Sequence, residues 1–176
     1  MNLILSVFTS LFFVRLVTLY ISIKNEKRLK HKGGIEFGKK NSILLSIVHV
    51  IYYFSCLTEG FYADIAFNFY SLLGTFLLVF SYIMLFVVIY QLREIWTVKI
   101  YIVPGHRIVT TPLFKYIRHP NYLLNILPEM IGIALLCNAW YTLFIGLPIY
   151  CVILCIRIIQ EEKAMTSLRK AAIIVQ

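Results

Sequence analysis

Between Lys115 and Tyr122 the chain reads Lys-Tyr-Ile-Arg-His-Pro-Asn-Tyr, the densest run of chemically able side chains in the sequence. Arg118 offers a planar fork for a carboxylate or phosphate. His119 can donate, accept or shuttle a proton. Pro120 suits the first turn of a helix, which places Asn121 and Tyr122 on that same turn. Arg118 and Tyr122 equally suit an interfacial belt whose side chains reach for headgroups. Further on, Asn125 and Glu129 lie one helical turn apart and share a face. A carboxylate about two turns into an apolar helix faces a bundle interior and marks a site, as a candidate general base, or else it is a neutral acid joining helices. A third group, Arg157-Ile-Ile-Gln-Glu-Glu162, spaces Arg157 and Glu161 for pairing along a helix, or forms an ordinary solvated helix end. His106 follows Pro104-Gly105 and is either a loop residue or a cofactor contact. His31 reads as a loop residue, His49 as a helix–helix hydrogen bond, and Arg15 as the partner of a polar group within the bundle. No metal-ligand spacing, Walker loop or GxGxxG is present, so a nucleotide-like cofactor would be held without a Rossmann domain.

The elements that must position these residues are membrane spans. The chain is 60% hydrophobic and only 14% charged, with a mean hydropathy of +0.82. Soluble domains run at roughly 45–50% apolar and roughly 25% charged. A helix of about 20 apolar residues crosses a hydrocarbon core of about 30 Å. Five such runs are expected: about Leu3–Ile23, Ser42–Leu57, Phe67–Tyr90, Tyr122–Cys137, and, after a tight connection from Asn138 to Tyr141, a last run to about Ile159. The first lacks the short basic start and small-residue cleavage site of a signal peptide and reads as a retained span. Lys24 to Lys40 reads as a charged loop, and Glu59 and Asp64 fall in the next connection. Pro104-Gly105 and Thr111-Pro112 mark turns in a mixed segment from Gln91 to Asn121. The last two spans form a hairpin, each with an internal proline, Pro128 and Pro148, that implies a kink. The whole chain, 1–176, is one all-α integral membrane domain, with its binding core in 91–168.

The net charge of +9 does not indicate nucleic acid, because the basic residues lie between apolar runs. Seven fall in the first loop (Lys24, Lys27, Arg28, Lys30, Lys32, Lys39, Lys40), five in the 91–121 segment (Arg93, Lys99, Arg107, Lys115, Arg118) and four near the carboxyl end (Arg157, Lys163, Arg169, Lys170). By the positive-inside rule all three segments are cytoplasmic, the amino terminus is outside, and the working groups face the cytoplasm of a multi-pass cell-membrane protein. The basic loops then meet anionic membrane lipids. Cys56, Cys137, Cys151 and Cys155 lie in or beside apolar runs without CxxC spacing and read as buried thiols.

From His106 to Tyr122, with the hairpin and the late Arg157…Glu161-Glu162 that follow, the chain resembles the isoprenylcysteine carboxyl methyltransferase family. The likeness covers about Gln91 to Leu168. It implies a cytoplasm-facing pocket for S-adenosylmethionine and a lipid-open route for a lipophilic acceptor. It assigns His106, Tyr116, His119, Pro120, Tyr122, Arg157, Glu161 and Glu162 to the cofactor. Arg118, His119 and Glu129 become the catalytic candidates, with Arg118, Asn125 and Glu129 toward substrate. The family's Gly-Pro-Tyr reads Thr111-Pro112-Leu113 here, and Leu124-Asn-Ile-Leu-Pro-Glu129 resembles a bacterial branch that methylates the enol of long-chain alkylpyrones. That branch implies a functional link to a type III polyketide synthase. Membrane sterol and enone reductases, which use NADPH, also carry an Arg-His-Pro-Asn-Tyr block. A non-catalytic lipid-binding protein is the remaining alternative.

Overall fold

The computed structural model describes residues 2–103 and 111–174. Helix α1 spans Asn2–His31, a length of about 45 Å at 1.5 Å per residue, so it runs past the apolar layer. The expected loop from Lys24 is therefore helical as far as His31. Glu26, Lys27, Arg28, Leu29 and Lys30 are good helix formers, and the helix ends only where the glycine pair begins. Gly33 takes φ 78°, and the Gly34 N–H donates to the Leu29 carbonyl at 2.9 Å. A three-residue strand, β1 (Ile35–Phe37), follows and pairs antiparallel with β2 (Ile100–Ile102), matching Ile35 to Ile102 and Phe37 to Ile100. This ribbon adds to the helical reading. Strands this short leave no periodicity to detect.

Helix α2 occupies Lys39–Tyr62 and α3 Phe69–Leu92, capped by the Asn68 side chain on the Ser71 N–H at 3.1 Å. A 3₁₀ turn, Arg93–Ile95, leads toward β2. Helix α4 is one short turn, Pro112–Tyr116, with its proline at the first position. A π-helical turn at Asn121–Ile126 runs into α5, Leu127–Leu136. A second, Thr142–Gly146, runs into α6, Leu147–Ile174. Each π turn sits just before a Leu-Pro pair, Leu127-Pro128 and Leu147-Pro148. A proline lacks the N–H that would continue the i−4 ladder, and the wider turn is the local accommodation. Glu59, expected in a connection, lies in α2, where its carboxylate accepts from the Tyr141 and Thr142 N–H groups at 2.8 and 2.9 Å. An anion at that helix start is favoured by the helix dipole.

Among the described residues, four helices are long and apolar enough to cross a membrane, within Asn2–His31, Lys39–Tyr62, Phe69–Ile95 and Thr142–Thr166. The helix Asn121–Leu136 is apolar but shorter. Large apolar side chains such as Phe13, Phe76 and Phe144 are more than half exposed, as expected of a bundle whose outer solvent is lipid. The chain is thus a helical, multi-pass membrane protein. Its tightest seam lies between α3 and α5. A methyl on Gly74 would stand 2.4 Å from the Leu136 nitrogen and 2.6 Å from the Gly132 carbonyl oxygen. With no hydrophobic drive between helices in lipid, such close backbone approach supplies the packing energy. Gly74→Ala must push these helices apart. A loss of about 1–3 kcal/mol is expected, read as a lower midpoint for thermal unfolding in detergent.

Candidate functional site

Where the carboxyl end of the α6 span meets the start of the Asn121–Leu136 helix, the basic end of α1 and the 95–103 connection, the bundle encloses a cavity of about 560 Å³. Arg118, His119, Pro120, Tyr122, Arg157, Glu161 and Glu162 all line it, so the two expected groups do meet at one mouth. The His119 carbonyl accepts from the Tyr122 and Leu123 N–H groups, each at 3.1 Å, which sets the helix start. The His119 ring stacks on Tyr122, 5.8 Å between centroids and 23° between planes.

Arg157 is only 2% exposed. Its guanidinium donates to Ser42 Oγ at 2.5 Å, to the Val98 carbonyl at 2.6 Å and to Tyr122 Oη at 3.4 Å. The Tyr122 hydroxyl in turn donates to Glu161 Oε2 at 2.5 Å. The expected direct pairing of Arg157 with Glu161 is thus replaced by a bridge through a tyrosine hydroxyl, and Arg157 has no ion pair among the described residues. A buried cation lacking a carboxylate carries a large desolvation cost and is suited to receive an anion. The cavity wall holds a second unmet group, the Trp96 indole N–H, which is buried without an acceptor among the described residues.

The His119 ring lies 3.8 Å from Glu161 Oε1 and 3.4 Å from Glu162 Oε1. The Glu161 carboxylate first, then Glu162, hold its pKa above the ordinary value near 6.5, against the opposing effect of partial burial. Both carboxylates thus favour the protonated ring over the neutral one.

Three sequence-derived candidates do not reach the cavity. Tyr116 lies on α4, 82% exposed, away from the lining. Asn125 and Glu129 share a helix face as expected, but they turn into the bundle. Glu129 is fully buried, ion-paired with Arg15 and bound by the Tyr53 and Tyr82 hydroxyls. The Arg15 Nε to Glu129 Oε1 distance is 2.5 Å. Arg15 is the intrabundle partner expected of it, and His49 makes its helix–helix contact with Tyr150 Oη at 3.1 Å. His31 is the last residue of α1, not a loop residue. His106 lies outside the described residues.

Asn125 nevertheless acts on the cavity at one remove. Its Oδ1 accepts from Arg15 Nη2 at 3.5 Å and Ser81 Oγ at 3.1 Å. A guanidinium can only donate, so the Asn125 amide cannot turn over. Its NH₂ must donate to Asn121 Oδ1, at 3.1 Å. Asn121 lines the cavity, and with its carbonyl so engaged its own NH₂ is the group left to face a ligand. Sequence reasoning missed Asn121 as a contact, although it lies inside the motif. It also missed Trp96 and Lys99, on an unpatterned connection. Lys99 Nζ reaches the cavity while held by Glu26 Oε2 at 2.7 Å. A buried Glu26 in the charged run after Ile23 has no signal in periodicity.

A family model described as the isoprenylcysteine carboxyl methyltransferase (ICMT) family matches residues 72–167. An uncharacterized protein of Haemophilus influenzae is 53% identical over 161 residues, covering 92% of this chain and 94% of its own length. The uncharacterized protein YpbQ of Bacillus subtilis is 28% identical over 151 residues, covering 86% and 89%. No solved structure matches.

Because the folded pKa of His119 is raised, its pairing contributes stability fully below the unfolded value of about 6.5 and loses it as pH rises through the folded value. His119→Gln should therefore lower the thermal midpoint in detergent near pH 6, with the difference from the parent protein shrinking toward pH 9. A difference that stays flat across that range would remove the imidazolium from the account.

Proposed function

Because the chain belongs to the isoprenylcysteine carboxyl methyltransferase family, we propose that it is an S-adenosylmethionine-dependent O-methyltransferase acting on a lipophilic acceptor. The observation that carries this reading is the buried, carboxylate-free Arg157 beside Glu161 and Glu162 in one cavity at the end of the bundle. The donor's amino-acid end presents a carboxylate and an ammonium, and its nucleoside end presents a flat base and hydroxyls. Arg157 binds the carboxylate, and Glu161 and Glu162 take the ammonium or ribose hydroxyls. Trp96, Tyr101 and Phe114 offer an aromatic slot, where the Trp96 N–H meets an acceptor. Pro120 and the stacked His119 and Tyr122 form the wall between the two ends.

The chemistry supplied when the donor is bound is an electrophilic methyl on a sulfonium. This chain's own residues position and desolvate the acceptor for in-line attack. Arg118 stands exposed at the mouth and draws in an anionic oxygen, and the Asn121 NH₂ holds it. His119, set against Glu161 and Glu162, is assigned as a hydrogen-bond donor. The acceptor therefore reacts as its own anion, which suits an acidic oxygen at the head of a long chain. A long-chain alkylpyrone enol or an isoprenylcysteine-type carboxylate meets that description. With the former, the functional partner is a type III polyketide synthase that makes the pyrone. Counting Asn121–Leu136 as a fifth, shorter crossing puts the amino terminus outside and the carboxyl terminus in the cytoplasm of a cell-membrane protein. The cavity then faces the soluble donor, while the acceptor reaches it from the bilayer, and the basic segments support this placement.

Membranes containing the protein, given donor labelled in its methyl group and the host's lipid extract, should yield a labelled lipid whose mass identifies the acceptor. S-adenosylhomocysteine should raise the thermal midpoint of the purified protein. Stabilisation by NADPH alone would instead indicate a reductase. Arg157→Ala should weaken S-adenosylhomocysteine binding by about 10- to 100-fold, the worth of a charged hydrogen bond. Asn125→Asp still accepts from Arg15 but cannot donate to Asn121, whose amide then turns its carbonyl to the cavity. The apparent KM for the extracted acceptor should rise while S-adenosylhomocysteine affinity stays unchanged.

A further inference from the structure

Beside the large cavity, α1 and the end of α3 enclose a second depression of about 340 Å³. Ile21 and Ile89 contribute apolar surface, and Lys24, Arg28 and Arg93 contribute three cations. Glu94, the one carboxylate among the described residues of this lining, is engaged by Arg28 at 2.5 Å, with Lys32 at 3.8 Å. Lys24 and Arg93 are exposed and make no ion pair among the described residues. The Arg93 guanidinium rests over the Tyr90 ring, 5.7 Å from its centroid.

Two further features make this more than a basic patch. Arg93 has φ 48°, a left-handed conformation that a long side chain adopts only when its surroundings enforce it, as at ligand clamps. The enforcing group is Asn25, 6% exposed, whose NH₂ donates to the Arg93 carbonyl at 3.0 Å and the Trp96 carbonyl at 2.8 Å. The depth is also particular. It lies where the apolar run of α1 ends at Ile23 and Lys24 begins, the level of lipid headgroups.

We propose that this groove binds the phosphodiester headgroup of an anionic phospholipid. Lys24, Arg28 and Arg93 hold the phosphate, and an acyl chain lies against Tyr20 and Ile89. The cations outnumber the carboxylate, so a zwitterionic headgroup, which brings its own ammonium, fits less well than an anionic one. Asn25 supports both the Arg93 bend and Trp96, so the lipid site and the large cavity share one strut. The proposal does not rest on the methyl-transfer reading, since its test reads lipid and not turnover.

The test reconstitutes the full chain in nanodiscs of phosphatidylcholine with phosphatidylglycerol, then counts and identifies the retained lipid by native mass spectrometry. One phosphatidylglycerol should stay with the parent protein in preference to phosphatidylcholine. The double variant Lys24→Gln/Arg93→Gln should lose that preference by roughly 25-fold, at about fivefold for each cation at an anionic surface. Lys39→Gln/Lys40→Gln, which removes equal charge elsewhere, should keep it. Lys24→Glu alone, at an exposed helix position, should also lose it, which covers misfolding of the Arg93 variant. Equal retention of both lipids, equal loss in the Lys39/Lys40 control, or displacement by inorganic phosphate would each overturn the proposal.

Discussion

Arg157 is the point through which the end of the bundle is assembled. Its guanidinium donates to Ser42 on α2, to the Val98 carbonyl on the connection between α3 and α4, and to Tyr122 at the start of the Asn121–Leu136 helix. These partners come from three separate segments, the most distant 115 residues away in sequence. A guanidinium with five donors in a fixed plane holds three such directions at once, which a lysine ammonium does not. Arg157 is satisfied by neutral acceptors, with the carboxylate of Glu161 kept behind the Tyr122 hydroxyl, so its positive charge stands in the wall of the cavity without a direct ion pair among the described residues. The same interaction thus closes the fold and sets the charge of the cavity wall on which the proposed donor site rests.

Deeper in the apolar layer a second pair follows the opposite logic. Arg15 and Glu129 neutralise each other, with Tyr53, Tyr82 and Asn125 taking the remaining hydrogen-bonding positions. In hydrocarbon each of these groups must find its partner inside the protein, so the cluster joins α1, α2, α3 and α5 with little freedom in its geometry. Its consequence at the cavity is conveyed by one amide. Because Arg15 can only donate, the orientation of Asn125 is settled, and with it the group that Asn121 has free. A charge pair remote from the cavity lining sets the hydrogen-bonding character of the lining.

The basic end of α1 borders two depressions. Its buried polar side chains, Ser22, Asn25 and Glu26, hold the Arg93–Tyr101 segment beside the large cavity. The exposed Lys24 and the half-buried Arg28 line the proposed headgroup groove. Amphipathicity here separates a protein-facing polar side from a headgroup-facing basic side, instead of apolar from polar, which is why this run resembles an ordinary charged loop.

Much was legible without coordinates, because lipid imposes long apolar runs and short charged connections that survive as plain composition. The helical membrane class, the basic segments, the hairpin and the meeting of His119 and Tyr122 with Arg157 and Glu161 all follow from run lengths and local order. What composition does not carry is partner choice over long separations. Arg15 and Glu129 are 114 residues apart, and nothing in the spacing of Asn125 and Glu129 says whether their shared face meets a cavity or an arginine. Trp96 and Lys99 reach the site on a connection without periodicity, steered by side chains more than 70 residues earlier. The tertiary structure alone decided these points, because each depends on which buried donor finds which acceptor once the helices have packed.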